Sequence, residues 1–211
     1  IKQVQLAHKG GFYLYRVHEL KTKKLINGFS PLQDYLAEMF IKCPHFYFQY
    51  GPRSSSLKFK LNVDIKRISG HEVSSLARYG LEEEVGSAHM RVQKLMLEKD
   101  AKTIAVEVPL WVEPSETPML NGIFQAKAPL TGHIDILRIE DQKIWIWDYK
   151  PNAHKEVYAS TQVFFYALML SKRTGIPLED LRCGYFDSQN AFLFKPAIEH
   201  LTKNTAIPTF L

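Results

Sequence analysis

Thr131-Gly132-His133-Ile134-Asp135 and Asp148-Tyr149-Lys150 bracket the stretch from which the fold is read. Between them, Ile134 to Ile139 and Lys143 to Tyr149 are rich in β-branched and aromatic residues. A short polar break, Glu140-Asp141-Gln142, separates the two runs. This pattern predicts a β-hairpin, although the Asn-Gly or Asp-Gly that would fix its turn type is absent. With a two-residue turn at Asp141-Gln142, Glu140 faces Lys143, and counting outward puts Asp135 opposite Asp148. Side chains alternate along a strand, so Lys150 shares the face of Asp148 and His133 that of Asp135. Directly opposed residues hold their Cβ atoms roughly 4.5–5.5 Å apart.

Two carboxylates that close repel by about 3 kcal/mol at ~5 Å and an effective dielectric of ~20. A cation offsets that cost. Lys150 is one candidate and a divalent metal is a better one, because hard cations such as Mg²⁺ take carboxylate, water and phosphate oxygens. A lysine beside a metal-bound water could stabilise charge developing on a phosphodiester under attack. The same spacing also fits an ordinary amphipathic hairpin with a solvated charged face. Trp145, Trp147 and Tyr149 occupy one face of the second strand, and Ile144 and Ile146 share the face of Asp148. Both faces are apolar, which predicts a central strand. Charges in such a strand are unusual unless paired or functional.

Gly132-His133-Ile134-Asp135, then Asp148-Tyr149-Lys150, then Gln162 and Tyr166 four residues apart, resemble the PD-(D/E)XK nuclease superfamily, RecB-like branch. Gly86-Ser87-Ala88-His89 looks like that branch's upstream Gly-x-x-His element. The resemblance covers about 80–195, and more loosely 30–50. It implies an α/β restriction-endonuclease-like core, a central mixed β-sheet flanked by helices. It implies a Mg²⁺- or Mn²⁺-dependent deoxyribonuclease with Asp135, Asp148 and Lys150 as catalytic residues. His89, Asp135, Asp148 and the Tyr149 carbonyl would bind metal. Gln162 and Tyr166 would orient the site, and Glu107 would lie near it or reach a second metal through water. Pro151 stands where many relatives carry Thr or Ser, without removing a ligand. The reading from another class is a non-catalytic nucleic-acid-binding module on the same fold.

The rest of the chain is read around that site. At 211 residues it fits one domain over 1–211, with a core at about 81–195 and an N-terminal elaboration over 1–80. A net charge of +5 suits a polyanionic partner, here DNA, single-stranded or branched, without proving one. Two cysteines, Cys43 and Cys183, make no disulfide framework and point to a reducing, cytoplasmic setting. In some relatives a cysteine at the place of Cys43 ligates an iron–sulfur cluster with three later ones. Only Cys183 follows here, so no cluster is expected. No apolar run long enough to span a membrane is present. Without a helicase or ATPase motif, any motor belongs to a separate partner, and a homodimer would suit junction cleavage.

Locally, Val4 to Ala7 and Phe12 to Val17 read as strands around Lys9-Gly10-Gly11, with Lys21 to Lys24 as a surface turn or a DNA-contacting loop. Ser30, Pro31 and Gln33 predict a capped helix over 30–42. The aromatics of 46–50 read as core, with base stacking as the other use. Residues 57–68 alternate as a strand with a basic outer face. A single helix is expected over 81–99, with Glu82, Glu83 and Glu84 in its first turn. Thr103 to Val112 reads as a strand with Glu107 on the side of Ala105 and Pro109. Residues 114–129 read as a loop or lid whose Lys127 could approach substrate. A helix over 155–174 ends at Gly175, followed by strands at 181–186 and 191–194.

Overall fold

The computed structural model describes residues 1–118 and 128–202. In chain order these form β1 (Lys2–His8), β2 (Gly11–Val17), α1 (Glu19–Leu25), α2 (Ser30–Glu38), α3 (His45–Tyr50), β3 (Lys66–Ser69), α4 (Glu72–Leu81) and α5 (Ala88–Lys99). Then come β4 (Thr103–Val112), β5 (Leu130–Glu140), β6 (Lys143–Tyr149), α6 (Ala159–Thr174), β7 (Leu181–Phe186), β8 (Asn190–Phe194) and α7 (Glu199–Thr202). The eight strands make one sheet in the order β1-β2-β4-β5-β6-β7-β8-β3. Only β6 and β7 run parallel, and α6 supplies the crossover that a parallel pair requires. Three of the strands come from the first 80 residues. Helices cover both faces. One face packs Val73 and Ala77 of α4 and Val92 and Met96 of α5 against Trp147, Tyr149 and Phe186. The other packs α6 and α2 against Val108, Leu110, Ile144 and Ile146. This is the α/β core with a central mixed sheet that the resemblance implied.

The β5–β6 hairpin has the expected register. Glu140 pairs with Lys143 and Ile136 with Trp147, and the ladder ends there, one residue short of Asp135 and Asp148. Asp141 and Gln142 have φ of 50° and 55°. Two left-handed residues are the type I′ pattern, the turn whose twist matches its strands. β6 is buried on both faces, as its two apolar sets require.

Several expectations are corrected. Ser30 does not cap α2: the N-cap is Phe29, without a side-chain hydrogen bond, and the helix stops at Glu38 rather than 42. Lys21 to Lys24 lie in a helix, not a turn, and the Lys21 ammonium donates to the carbonyls of Leu97 and Asp100. In α3, Phe48 is buried but Phe46 and Tyr50 are exposed, so only part of that aromatic run is core. Residues 57–65 alternate in burial yet form no strand. They run extended along α6, where the Thr161 hydroxyl donates to the Phe59 carbonyl and accepts from the Leu61 amide. Packing against a helix produces the same period of two as a half-buried sheet edge. Only Lys66–Ser69 pairs, with β8.

The helix expected over 81–99 starts later, at Ala88, and a further helix, α4, precedes it over Glu72–Leu81, where none was expected. α4 ends at Leu81, and α5 starts after Ser87, whose hydroxyl accepts from the Met90 amide. Gly86 takes φ 103° between them. Glu82, Glu83 and Glu84 therefore lie in the connection rather than in a first turn. α6 begins at Ala159 instead of 155, after a short 3₁₀ turn. Its end matches: Gly175 sits at φ 73°, the left-handed stop that glycine favours. The loop reading of 114–129 falls largely on undescribed residues, and Lys127 lies outside the described residues.

Candidate active site

The site sits where three neighbouring strands each offer an acid. The β4–β5 ladder pairs Val106 with Ile136 and Val108 with Ile134, so Glu107 lies opposite Asp135. On the other side Asp135 lies just past the last β5–β6 pair, Ile136 with Trp147, and its side chain takes the Tyr149 amide. Simple alternation misplaces Glu107. Its φ is 53°, a left-handed value that a non-glycine residue adopts at a cost of roughly 1–2 kcal/mol. Across it the strand changes phase: Val106 packs with α4 and α5, Val108 with the α6 side. Glu107 is thereby turned toward α5, where the Gln93 amide donates to it at 2.7 Å. Strained residues of this kind persist where the surroundings hold them, often at functional sites.

Asp135 is buried, and its Oδ2 accepts two hydrogen bonds, each of 3.0 Å, from the Tyr149 amide and from His89 Nε2. His89 reaches it from the first turn of α5, where Ser87 caps the helix start. Burial alone would lower the His89 pKa. Its hydrogen bond to Asp135 and the charges of Asp135 and Asp148 outweigh that, and the net shift is upward.

Asp148 is 1 % exposed. Its Oδ1 accepts from Gln162 Nε2 at 3.1 Å. Its Oδ2 forms a 2.8 Å ion pair with the Lys150 ammonium. Burial pushes the Asp148 pKa up to about 7, and the charge of Asp135 adds to the rise while Lys150 opposes it. Glu107 is pushed up to about 8 by burial first and the charge of Asp135 second. Burial would lower the Lys150 pKa, but Asp148 and Asp135 raise it on balance, so it stays an ammonium. Three acids and one fixed cation leave a surplus of negative charge in a desolvated place. A divalent cation would relieve it, and the Asp135 and Asp148 carboxylates offer hard oxygen ligands of the right kind. The residues present fit such an ion.

One turn of α6 completes the arrangement. Gln162 donates to both Asp148 and the Tyr166 hydroxyl (2.7 Å) and accepts from Lys150 at 3.1 Å. That single amide ties acid, ammonium and phenol together. The glycine before His133 has a steric reason. A Cβ at Gly132 would lie 2.5 Å from Tyr166 Cε1, so any side chain there would push Tyr166 off Gln162.

The structure therefore brings together Asp135, Asp148, Lys150, His89, Tyr149, Gln162, Tyr166 and Glu107. His133 does not join the acids through a hydrogen bond; it bonds His8 and stacks on Tyr13 instead. Gln93 was not read from the sequence. It lies one turn after His89 on α5, and that spacing was the available signal. Beside the acids, Phe12, Arg16, Met90, Gln93 and Glu107 line an open groove.

A family model described as the PD-(D/E)XK nuclease superfamily matches residues 64–206. No curated protein matches the chain.

Proposed function

Because the chain belongs to the PD-(D/E)XK nuclease superfamily, we propose that it is a RecB-like, Mg²⁺- or Mn²⁺-dependent deoxyribonuclease hydrolysing DNA phosphodiester bonds. The observation that carries this reading is the row of three acids on adjacent strands, with a lysine ion-paired to one of them at 2.8 Å. Asp135, Asp148, His89 and the Tyr149 carbonyl would hold the cation. In an extended strand the amide and carbonyl of one residue point the same way. The Tyr149 amide points at Asp135, which favours its carbonyl as a ligand. A bound divalent cation supplies Lewis acidity, acidifying a water and neutralising phosphate charge.

The protein's own groups do the rest. Lys150 keeps its proton, so it acts as a fixed cation that stabilises negative charge on the phosphate rather than as a base. Gln162 holds that ammonium and Asp148 in register, and Tyr166 holds Gln162. Glu107, held by its Gln93 bond, would reach a second cation through water. Phe12 stands 75 % exposed in the groove that Glu107 also lines, an apolar face on which a base can stack. A partner motor and a dimer remain compatible additions to this reading. No described helix is long and apolar enough to cross a membrane.

Paired linear and circular single-stranded DNA, offered with Mg²⁺, Mn²⁺ or EDTA, test the activity and its mode together. The expected result is cation-dependent cleavage that EDTA stops. Cutting of both forms marks an endonuclease, and cutting of the linear form alone an exonuclease. If neither is cut, and duplex, branched DNA and RNA also survive, the nuclease reading fails. Salt-sensitive binding without cleavage would then leave a nucleic-acid-binding module.

A further inference from the structure

A second cluster of metal-ligating side chains lies outside the acid site. We propose that His8, Cys43 and His45 form a mononuclear site for a soft divalent cation, Zn²⁺ in the first instance, that fastens the first β-hairpin and α3 together. Their ligand atoms all lie within 4.8 Å of one another. His8 Nε2 is 3.0 Å from His45 Nδ1 and 3.9 Å from Cys43 Sγ. Around a tetrahedral zinc with ordinary bond lengths, two nitrogens stand about 3.3 Å apart and a nitrogen and a sulfur about 3.6 Å. The observed separations are within a few tenths of an ångström of both, so small side-chain movements admit the ion.

The surroundings suit ligation. His8 Nδ1 is 2.8 Å from His133 Nε2. A ligating histidine commonly anchors its second ring nitrogen in this way, which fixes the tautomer and frees the other lone pair. The Phe48 ring stacks on His8 at 4.1 Å and holds its plane. His8 and Cys43 are buried while His45 is exposed. Three protein ligands with one at the surface leave a fourth position for water. Ion entry displaces the Cys43 thiol proton to solvent, and no electron transfer is involved. The donor set separates this site from the acid site: thiolate and imidazole select zinc-like ions, whereas carboxylates and carbonyl oxygen select Mg²⁺ or Mn²⁺. His133 also connects them, since it is two residues from Asp135 on β5.

The test is titration of chelator-stripped, full-length protein with Co²⁺, a spectroscopic stand-in for Zn²⁺. A thiolate-to-cobalt charge-transfer band should saturate at one equivalent and vanish when Zn²⁺ is added. The acid site has no thiol and cannot produce it. Cys43→Ser should remove the band, and Cys183→Ser should keep it. His45→Ala, a change at an exposed side chain that leaves folding intact, should weaken Co²⁺ binding by about tenfold or more. No band in the wild-type protein, a band that survives Cys43→Ser, or unchanged affinity in His45→Ala would each overturn the site.

Discussion

Asp148→Asn is expected to cleave DNA at least about 10³-fold more slowly than the wild-type protein, a barrier increase of about 4 kcal/mol. The substitution keeps the side chain's shape and its bond from Gln162 but removes the charge. The atom replacing Oδ2 is then neutral or an amide nitrogen, and neither offers an anionic ligand to a cation. Lys150 loses its nearest counter-ion at the same time, 2.8 Å away in the wild type. Circular dichroism and thermal unfolding should be close to wild type, because a buried carboxylate held near pH 7 is itself costly to keep. Calorimetric Mn²⁺ binding should weaken together with cleavage. Cleavage within about threefold of wild type would remove Asp148 from the chemistry.

The largest stability effect is expected at Arg138, three residues beyond Asp135 on the same strand. Arg138 lies in β5, and its side chain is fully buried. Its guanidinium donates to Asp100 at 2.8 and 3.3 Å, to Glu72 at 2.9 Å and to Glu140 at 3.3 Å. Lys102 bridges the same two glutamates from outside. The network joins α4, the end of α5 and the β5–β6 hairpin. Breaking a buried pair by removing one partner leaves the other charged and dry, which costs about 3–5 kcal/mol. For a protein whose whole stability is on the order of 5–15 kcal/mol, Arg138→Ala is therefore severe. Urea unfolding measures it through the midpoint at constant slope. The double variant Arg138→Met with Asp100→Asn should recover part of the loss, since it removes both charges and retains volume. A loss below about 1 kcal/mol for Arg138→Ala would mean that the network contributes no more than a surface ion pair.

What the sequence disclosed follows from which physical rules act locally. The β5–β6 register was legible because the period of a strand is two and the loop had room for only two residues, so Asp135 and Asp148 could be paired by counting. The α6 stop was legible because Gly175 and Pro177 punctuate it. Gln162 and Tyr166 share a face because they are one turn apart. Glu107 was legible in type but not in direction: one left-handed residue shifts the phase of β4, and alternation has no means of showing it. The start of α5 was placed too early because the acidic run at Glu82 imitates a helix start, although Gly86-Ser87 marks the true one. Arg138 gave no signal, since its partner Asp100 comes from another element. The His8, Cys43 and His45 cluster was equally hidden, because its first member arrives from a strand whose pairing only the fold reveals.

Lys150→Ala tests the central claim most directly. The variant and the wild-type protein are compared on the DNA the wild type cleaves, at saturating Mn²⁺, with cation binding measured alongside. Loss of cleavage with Mn²⁺ binding retained is the predicted result, because the ammonium stabilises charge on the phosphate while the acids hold the ion. Full cleavage by Lys150→Ala would contradict the assignment of this site.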